Sequence, residues 1–255
     1  MRGYIPPQNN EEVVFVKKIY HTLDLAETLG CTQYTLFMDL RQQELFIAQA
    51  NKFPGLEFQF FSGYIGDSER KLAAIHPNYM ELYLEDLPIV VIKSKLLDKS
   101  LSHKDFLGTA MSLKIKREYM GDIVVDNDNI YIICHKNIAN ILIDELIMVK
   151  KTPVSFEICD EKIYFQKEYS QIKTATVASL RADSVIAAVL NCSRSEAVKL
   201  IKQGNVKVNQ LEISHTDFEM FDNDIISIKY KGKYKIFCDG GKSRKDRIFI
   251  KIAKY

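Results

Sequence analysis

One stretch near the end of the chain, residues 179–208, constrains the fold more than any other. It reads SLRADSVIAAVLNCSRSEAVKLIKQGNVKV, a short apolar helix followed by a basic one. Ser193 and Glu196 have the three-residue spacing of a capping box that starts the second helix. Gly204 provides the left-handed residue that ends it, and a short strand follows. The pattern predicts a helix–helix–strand unit with one apolar face.

The opposite face of this unit is basic. Lys199 and Lys202 lie on the side of the second helix away from Ala197 and Ile201, and Arg194 lies in its first turn. Free N–H groups at a helix N-terminus attract phosphate, so the face suits an RNA backbone. The alternative is an ordinary solvated helix face. The side chains predicted here to contact RNA are Arg181, Ser193, Arg194, Ser195, Lys199, Lys202, Lys207 and Asn209.

Charge is distributed unevenly along the chain. Residues 174–255 contain 15 Lys and Arg against 9 Asp and Glu, a net charge of +6, whereas residues 1–173 carry a net charge of −4. A basic module on a slightly acidic body indicates a nucleic-acid contact at one end. Lys231 and Lys233, in an alternating run of lysines, are predicted to extend that surface. Lysines that keep a strand edge soluble are the alternative.

Composition excludes several classes of protein. No window approaches the roughly 18 apolar residues of a membrane span, and the N-terminus lacks the pattern of a signal peptide. The five cysteines are far apart without a C-x-x-C pair, so neither a zinc site nor a disulfide framework is indicated. We expect a cytoplasmic protein without metal, cofactor, membrane insertion or small-molecule substrate.

The pattern of helices and strands predicts an α+β protein of three domains. These are a small α/β domain over residues 1–78, a middle domain over 79–173 and an RNA-binding domain over 174–255. In the middle segment the order is strand, helix, two strands, helix and strand, with strands at 89–93, 123–125, 130–134 and 154–158 and helices at 105–113 and 138–149. This is the split βαβ order of ferredoxin-like folds, which RNA-recognition domains share. The third strand has one aromatic residue, so base stacking on this sheet is not expected.

The C-terminal motif resembles the S-four-type RNA-binding domain. The residues that carry the resemblance are S-L-R-x-D-x-V at 179–185, S-R-S-E-A at 193–197 and L-I-K-x-G-x-V-x-V-N at 200–209. Ala182 stands where Leu is usual, which removes part of a core contact. Gln210 stands where Gly is usual, so we expect Asn209 to take the left-handed position of the turn.

Motifs outside this module resemble the YlmH family of bacterial proteins. They are S-H-K-D-F-L-G at 102–108, I-K-R-E at 115–118, G-D-I at 121–123, and F-S-G-Y with S-E-R-K at 61–64 and 68–71. The resemblance implies a ribosome-linked RNA-binding protein with ribosomal RNA or tRNA and the large subunit as partners, implicated in rescue of stalled peptidyl-tRNA complexes. Its genes lie near cell-division genes. Possible secondary contacts are His103, Lys104, Lys116, Arg117, Arg70 and Lys71.

Two other functional classes remain to be weighed. An RNA-modifying enzyme, such as a pseudouridine synthase or a methyltransferase, would need catalytic motifs that the sequence lacks. His103 and Asp105 are a weak acid–base candidate, because near neighbours on a helix do not face each other and no nucleophile is identifiable. We therefore assign no catalytic residue. A cell-division adaptor working through the N-terminal domains is the third class.

Overall fold

The computed structural model describes residues 4–126, 128–166, 169–238 and 240–255. The chain divides into two compact units, Ile5–Gln166 and the part that follows Gln166. The predicted boundary between residues 78 and 79 falls inside the first unit, and the three-domain division stays a prediction. The fold is of the mixed α+β class, as the sequence predicts.

The first part of the first unit packs two helices on a small antiparallel sheet. The side chain of Asn9 accepts a hydrogen bond from Glu12 N and so starts the first helix, and Gly30 ends it at φ 60°. Leu23 and Phe46 are fully buried in the shared core. The elements are α1 Asn10–Leu29, β1 Gln33–Tyr34, α2 Leu40–Ala50, β2 Leu56–Phe61, β3 Ile65–Gly66 and β4 Leu72–Pro77, with the sheet in the order β1-β4-β2.

The second part of this unit has the ferredoxin-like topology. Its antiparallel sheet runs β10-β5-β7-β6, with the first and third strands of the motif at the centre. The helix predicted to reach residue 149 ends at Glu145 and is followed by a small hairpin. The elements are β5 Ile89–Lys95, α3 His103–Ser112, β6 Met120–Val125, β7 Asn129–His135, α4 Lys136–Glu145, β8 Met148–Val149, β9 Thr152–Pro153, β10 Glu157–Ile158 and β11 Tyr164–Phe165.

The face of this sheet that points away from α3 and α4 is covered. Tyr131 and Ile133 of β7 are buried in a cluster with Phe37 and Leu72 from the first part of the unit. Gly63 lies so close that a Cβ atom there would stand 2.9 Å from a methyl group of Ile133. RNA-recognition folds stack bases on this face. Here it is a protein core, which gives a physical reason for the absence of the aromatic stacking pattern.

The second unit packs two helices on one face of a larger antiparallel sheet. The strand order is β12-β17-β16-β15-β13-β14. Val185, Ile201, Ile226 and Ile250 are among the residues of its core, at 0–1% exposure. The elements are β12 Gln171–Val177, α5 Ala182–Leu190, α6 Arg194–Lys202, β13 Val206–Val208, β14 Leu211–Glu212, β15 Ile225–Ile228, β16 Gly232–Phe237 and β17 Ile248–Lys254.

Candidate RNA interface

Helices α5 and α6 each begin with an arginine. Arg181 is the N-terminal flanking residue of α5, and Arg194 is the first residue of α6. The turn between the helices passes through Asn191 in the left-handed conformation, at φ 52°. Ser193 and Glu196 form the predicted capping box, in which the serine hydroxyl accepts from Glu196 N at 3.2 Å. The local sequence therefore brings both arginines to helix N-termini.

A buried carboxylate holds both arginines. Arg194 Nη2 lies 2.6 Å from Asp183 Oδ2, and Arg181 Nε lies 3.5 Å from Asp183 Oδ1. The Asp183 side chain is 8% exposed, whereas those of Arg194 and Arg181 are 57% and 47% exposed. The carboxylate thus accepts a hydrogen bond from Arg194 and lies within ion-pair distance of Arg181, while its buried Oδ1 atom accepts no hydrogen bond from the residues that the structure describes. The three side chains together carry a net charge of +1 at neutral pH.

Asp183 is the residue of this site that the sequence reading missed. The Arg181-x-Asp183 spacing at the start of α5 was the available signal. The partner of the aspartate, Arg194, is 11 positions away in sequence. The contact between them is therefore evident only once α6 packs beside α5. We define Arg181, Asp183 and Arg194 as the arginine clamp.

Basic side chains continue along α6. Ser195, Lys199 and Lys202 follow the i, i+4, i+7 spacing of one helix stripe and are exposed. Lys231 is exposed in the turn between β15 and β16. Burial raises the pKa of the Cys192 thiol, as does Glu196, and the positive charge of Lys231 opposes that shift. Lys231 is therefore electrostatically close to the turn between α5 and α6.

Two predicted contact residues have structural roles. The Ser193 hydroxyl is engaged in the capping box of α6 and lies 2.9 Å from Ser195 Oγ. Asn209 takes the predicted left-handed position at φ 50°. Its side chain donates to Asp224 at 2.8 Å and accepts from Ile225 N at 2.9 Å. Both side chains make hydrogen bonds within the fold, and their assignment as RNA contacts stays a prediction.

The predicted cations do not share one surface. Lys207 alternates with buried Val206 and Val208, so it points to the sheet face opposite the helices. Lys233 lies on that same face, because Lys207 pairs with Ser227 and Ser227 pairs with Lys233. The expectation that lysines 229, 231, 233 and 235 alternate along one strand is wrong. A turn separates β15 from β16 and contains Lys229 and Lys231.

Metal and membrane chemistry find no support in the described ranges. Among those residues, no three His, Cys, Asp or Glu side chains are grouped so that they could hold a metal ion. No helix in the part that the structure describes combines the length and the hydrophobicity needed to cross a bilayer.

A curated relative matches almost the whole chain. The ribosome-associated protein quality control protein P2 of Bacillus subtilis (strain 168) is 30% identical over 241 residues, which is 93% of this chain and 93% of that protein. Residues 86–163 match the model described as a putative RNA-binding domain in YlmH, and residues 180–216 match the S4 domain, the S-four-type module that the sequence predicts. The chain belongs to the YlmH family.

A solved member of the YlmH family supports the fold. The cell division protein ylmH from Streptococcus pneumoniae is 25% identical, with a TM-score of 0.50, and the match covers 62% of this chain and 96% of that one. The ferredoxin-like sheet at residues 89–158 lies inside the range of the YlmH RNA-binding-domain match. Because one face of that sheet is buried, an RNA contact by this domain must use its helical side or its edges.

The secondary candidates in the YlmH-type region fall into two groups. His103, Lys104 and Lys116 are exposed, and Lys71 is half-buried. Arg70 and Arg117 make hydrogen bonds within the fold, and their assignment as RNA contacts stays a prediction. Arg70 donates to Phe37 O at 2.7 Å, Met120 O at 2.9 Å and Arg117 O at 3.3 Å.

Arg117 completes the same arrangement. Its Nη1 donates to Met120 O at 2.7 Å and to Gly121 O at 2.9 Å. Burial lowers the pKa of Arg117 to about 10, and the nearby charge of Arg70 contributes. Burial also lowers the pKa of Arg70. Backbone carbonyl groups therefore accept from two nitrogens of Arg70 and from one nitrogen of Arg117.

Proposed function

We propose that this chain is a non-enzymatic RNA-binding protein of the bacterial cytoplasm that acts on the large ribosomal subunit. Its ligands are ribosomal RNA and tRNA, and its role is quality control of stalled peptidyl-tRNA complexes. The relative from Bacillus subtilis is named as a ribosome-associated quality control protein. The S4 and YlmH RNA-binding-domain matches support the same ligand class.

The arginine clamp is the observation that carries this proposal. One buried carboxylate bonds to the guanidinium of Arg194 and forms an ion pair with that of Arg181, and both arginine side chains are about half exposed. Guanidinium groups bind phosphate through paired N–H donors, and pre-orientation reduces the entropy lost on binding. Lys199, Lys202 and Lys231 extend the positive charge beside the clamp. We define these three lysines and the two clamp arginines as the helical surface.

Binding by this surface depends on charge and shape. Each phosphate contact that is lost lowers the slope of log affinity against log salt concentration by roughly 0.7 to 0.9. We expect the double substitution Arg194→Ala, Lys202→Ala to lower the slope for tRNA and for large-subunit RNA by about 1.4 to 1.8. The matched control, Lys17→Ala with Lys52→Ala, removes two exposed charges from the first unit and leaves the slope unchanged.

The experiment is a filter-binding titration at several salt concentrations, together with co-sedimentation with large ribosomal subunits. Equal slopes for the double variant and the wild-type chain would contradict the placement of the site. Co-sedimentation that persists in the double variant would favour the adaptor function through the first unit. One solved relative is titled a cell division protein, which is the specific reason to keep that alternative.

Catalysis is tested separately. RNA incubated with the chain, with and without a methyl donor, is analysed by mass spectrometry. The proposal expects no mass change in the RNA. An increase in RNA mass equal to a methyl group, or an isomerised uridine detected after chemical derivatisation, would identify an RNA-modifying enzyme instead.

A further inference from the structure

The sheet of the second unit has a second surface, which the helices do not touch. Strand alternation and register place Lys233, Lys235 and Phe237 of β16 on it, with Lys251 and Phe249 of β17. Lys207 and Ser227 continue it on β13 and β15. We define these residues, with Tyr255 at the end of β17, as the outer sheet face.

Aromatic rings on this face form a cluster with lysines above them. Tyr169 packs edge-on against Tyr255 and Phe237, with ring centroids 5.4 Å and 6.1 Å apart. Lys233 Nζ lies 5.0 Å from the ring centroid of Tyr255, and Lys235 Nζ lies 5.2 Å from that of Phe237. Phe249 is 37% exposed. The rings thus sit at a partly exposed surface beneath positive charges.

The core of the unit does not account for these rings. The buried core lies on the other sheet face, between the strands and α5 and α6, and includes Tyr234 and Ile236. Phe237 and Tyr255 alternate with core positions and point away from it. An antiparallel sheet that buries one face against helices can leave its other face to solvent.

The four strands β12, β15, β16 and β17 contain no Asp or Glu in their sequences. Lys207 and Lys233 are in one row across three strands, which at 4.7–4.9 Å per strand separates their backbones by roughly 10 Å. Lys207 also pairs with Glu212 of β14, the one acidic residue in that row. Lysines interleaved with aromatic rings match the chemistry of single-stranded nucleic acid, which offers both phosphates and stacking bases.

We propose that the outer sheet face binds a single-stranded RNA segment, with unpaired bases stacked on Tyr255 and Phe237 and phosphates beside Lys233 and Lys251. This inference deepens the proposed function, because the ligand is again RNA. It assigns a second segment of the RNA to a second surface of the same unit. The helical surface takes the backbone of structured RNA, and the outer sheet face takes unpaired nucleotides.

The test uses the full chain and two labelled probes, a decamer of adenylate and a stable RNA hairpin. Fluorescence anisotropy measures both affinities. We expect Tyr255→Leu to weaken binding of the decamer by about tenfold, because the stacking of one base on the aromatic ring is lost. Tyr255→Phe keeps the ring and keeps the affinity. Both variants leave hairpin binding unchanged.

Two further variants separate this inference from the proposed function and from misfolding. Lys233→Ala with Lys251→Ala should lower the salt slope for the decamer by about 1.4 and retain the wild-type circular dichroism spectrum. Arg194→Ala with Lys202→Ala should weaken the hairpin and spare the decamer. The inference is overturned if the decamer does not bind the wild-type chain, which would leave the face to a protein partner. Equal decamer affinity of Tyr255→Leu and wild type, or loss of decamer binding in Arg194→Ala with Lys202→Ala, overturns it as well.

Discussion

Replacement of Arg70 by alanine should destabilise the first unit strongly and leave RNA binding by the folded chain unchanged. The guanidinium joins three segments that are far apart in sequence, because it donates to the carbonyl groups of Phe37, Met120 and Arg117. Met120 O keeps a second donor, Arg117 Nη1, after the substitution. Phe37 O, next to buried Met38, loses its bond to Arg70.

The size of the effect follows from these contacts. A hydrogen bond to a charged group contributes about 1.5–3 kcal/mol, and the two shorter bonds of Arg70 are 2.7 Å and 2.9 Å long. We expect Arg70→Ala to lower the free energy of unfolding by about 3–5 kcal/mol. With a urea m-value of about 2 kcal/mol per M, the unfolding midpoint falls by about 2 M.

Urea unfolding followed by far-UV circular dichroism measures the effect. The neighbouring substitution Lys71→Ala is the matched control and should change stability by less than about 0.5 kcal/mol. Arg70→Lys keeps the charge and lacks the planar fork, so it should lose about half as much stability as Arg70→Ala. If Arg70→Ala unfolds like the wild-type chain and binds RNA more weakly, the guanidinium contacts RNA and the structural assignment is wrong.

Three further substitutions test individual features of the fold. Ser193→Ala removes the cap of α6 and should cost about 1 kcal/mol in urea unfolding while the salt slope of RNA binding stays constant, and a changed slope would identify the serine as an RNA contact. Gln210→Gly should raise the free energy of unfolding by about 0.5–1 kcal/mol, because φ at this position is 72°; a loss of stability would contradict the turn geometry. Bonds from Lys150 and Ser102 lower the pKa of Asp105 from 3.8 to about 2, so the folded state gains stability from this group above about pH 4 and loses it as the pH falls towards 2. Asp105→Asn should flatten the pH dependence of stability between pH 4 and 2, measured by thermal melting, and an unchanged profile would exclude this ion pair as its source.

Local patterns predicted the elements of the second unit well. The capping box of Ser193 and Glu196, the left-handed Gly204 and the turn at Asn209 each depend on a few neighbouring residues, and each is confirmed. In the middle segment the order of helices and strands was sufficient for the ferredoxin-like topology. The end of α4 was predicted four residues too late, because the pattern of apolar residues continues into the β8–β9 hairpin.

The site depends on contacts between residues that are distant in sequence, and there the predictions were less accurate. The sequence does not distinguish a buried arginine from an exposed one, so it could not show that Arg70 and Arg117 bond to carbonyl groups. The role of Asp183 in the arginine clamp follows only from the packing of α6 beside α5, which brings Arg194 to the carboxylate. The separation of Lys207 and Lys233 from the helical surface follows from strand register, which no single strand reveals.

The amino-acid sequence by itself determined the class of ligand, the S4 motif and the order of secondary-structure elements. Net charge, capping residues, turn residues and periodicity are properties of composition and of neighbouring residues, so they are encoded in the chain before it folds. The tertiary structure alone decided which face of each sheet is covered. It also decided which basic side chains pair with an acidic residue and which bond to backbone carbonyl groups. Those outcomes depend on the burial of one element against another, because desolvation and long-range hydrogen bonds exist only after the elements pack together.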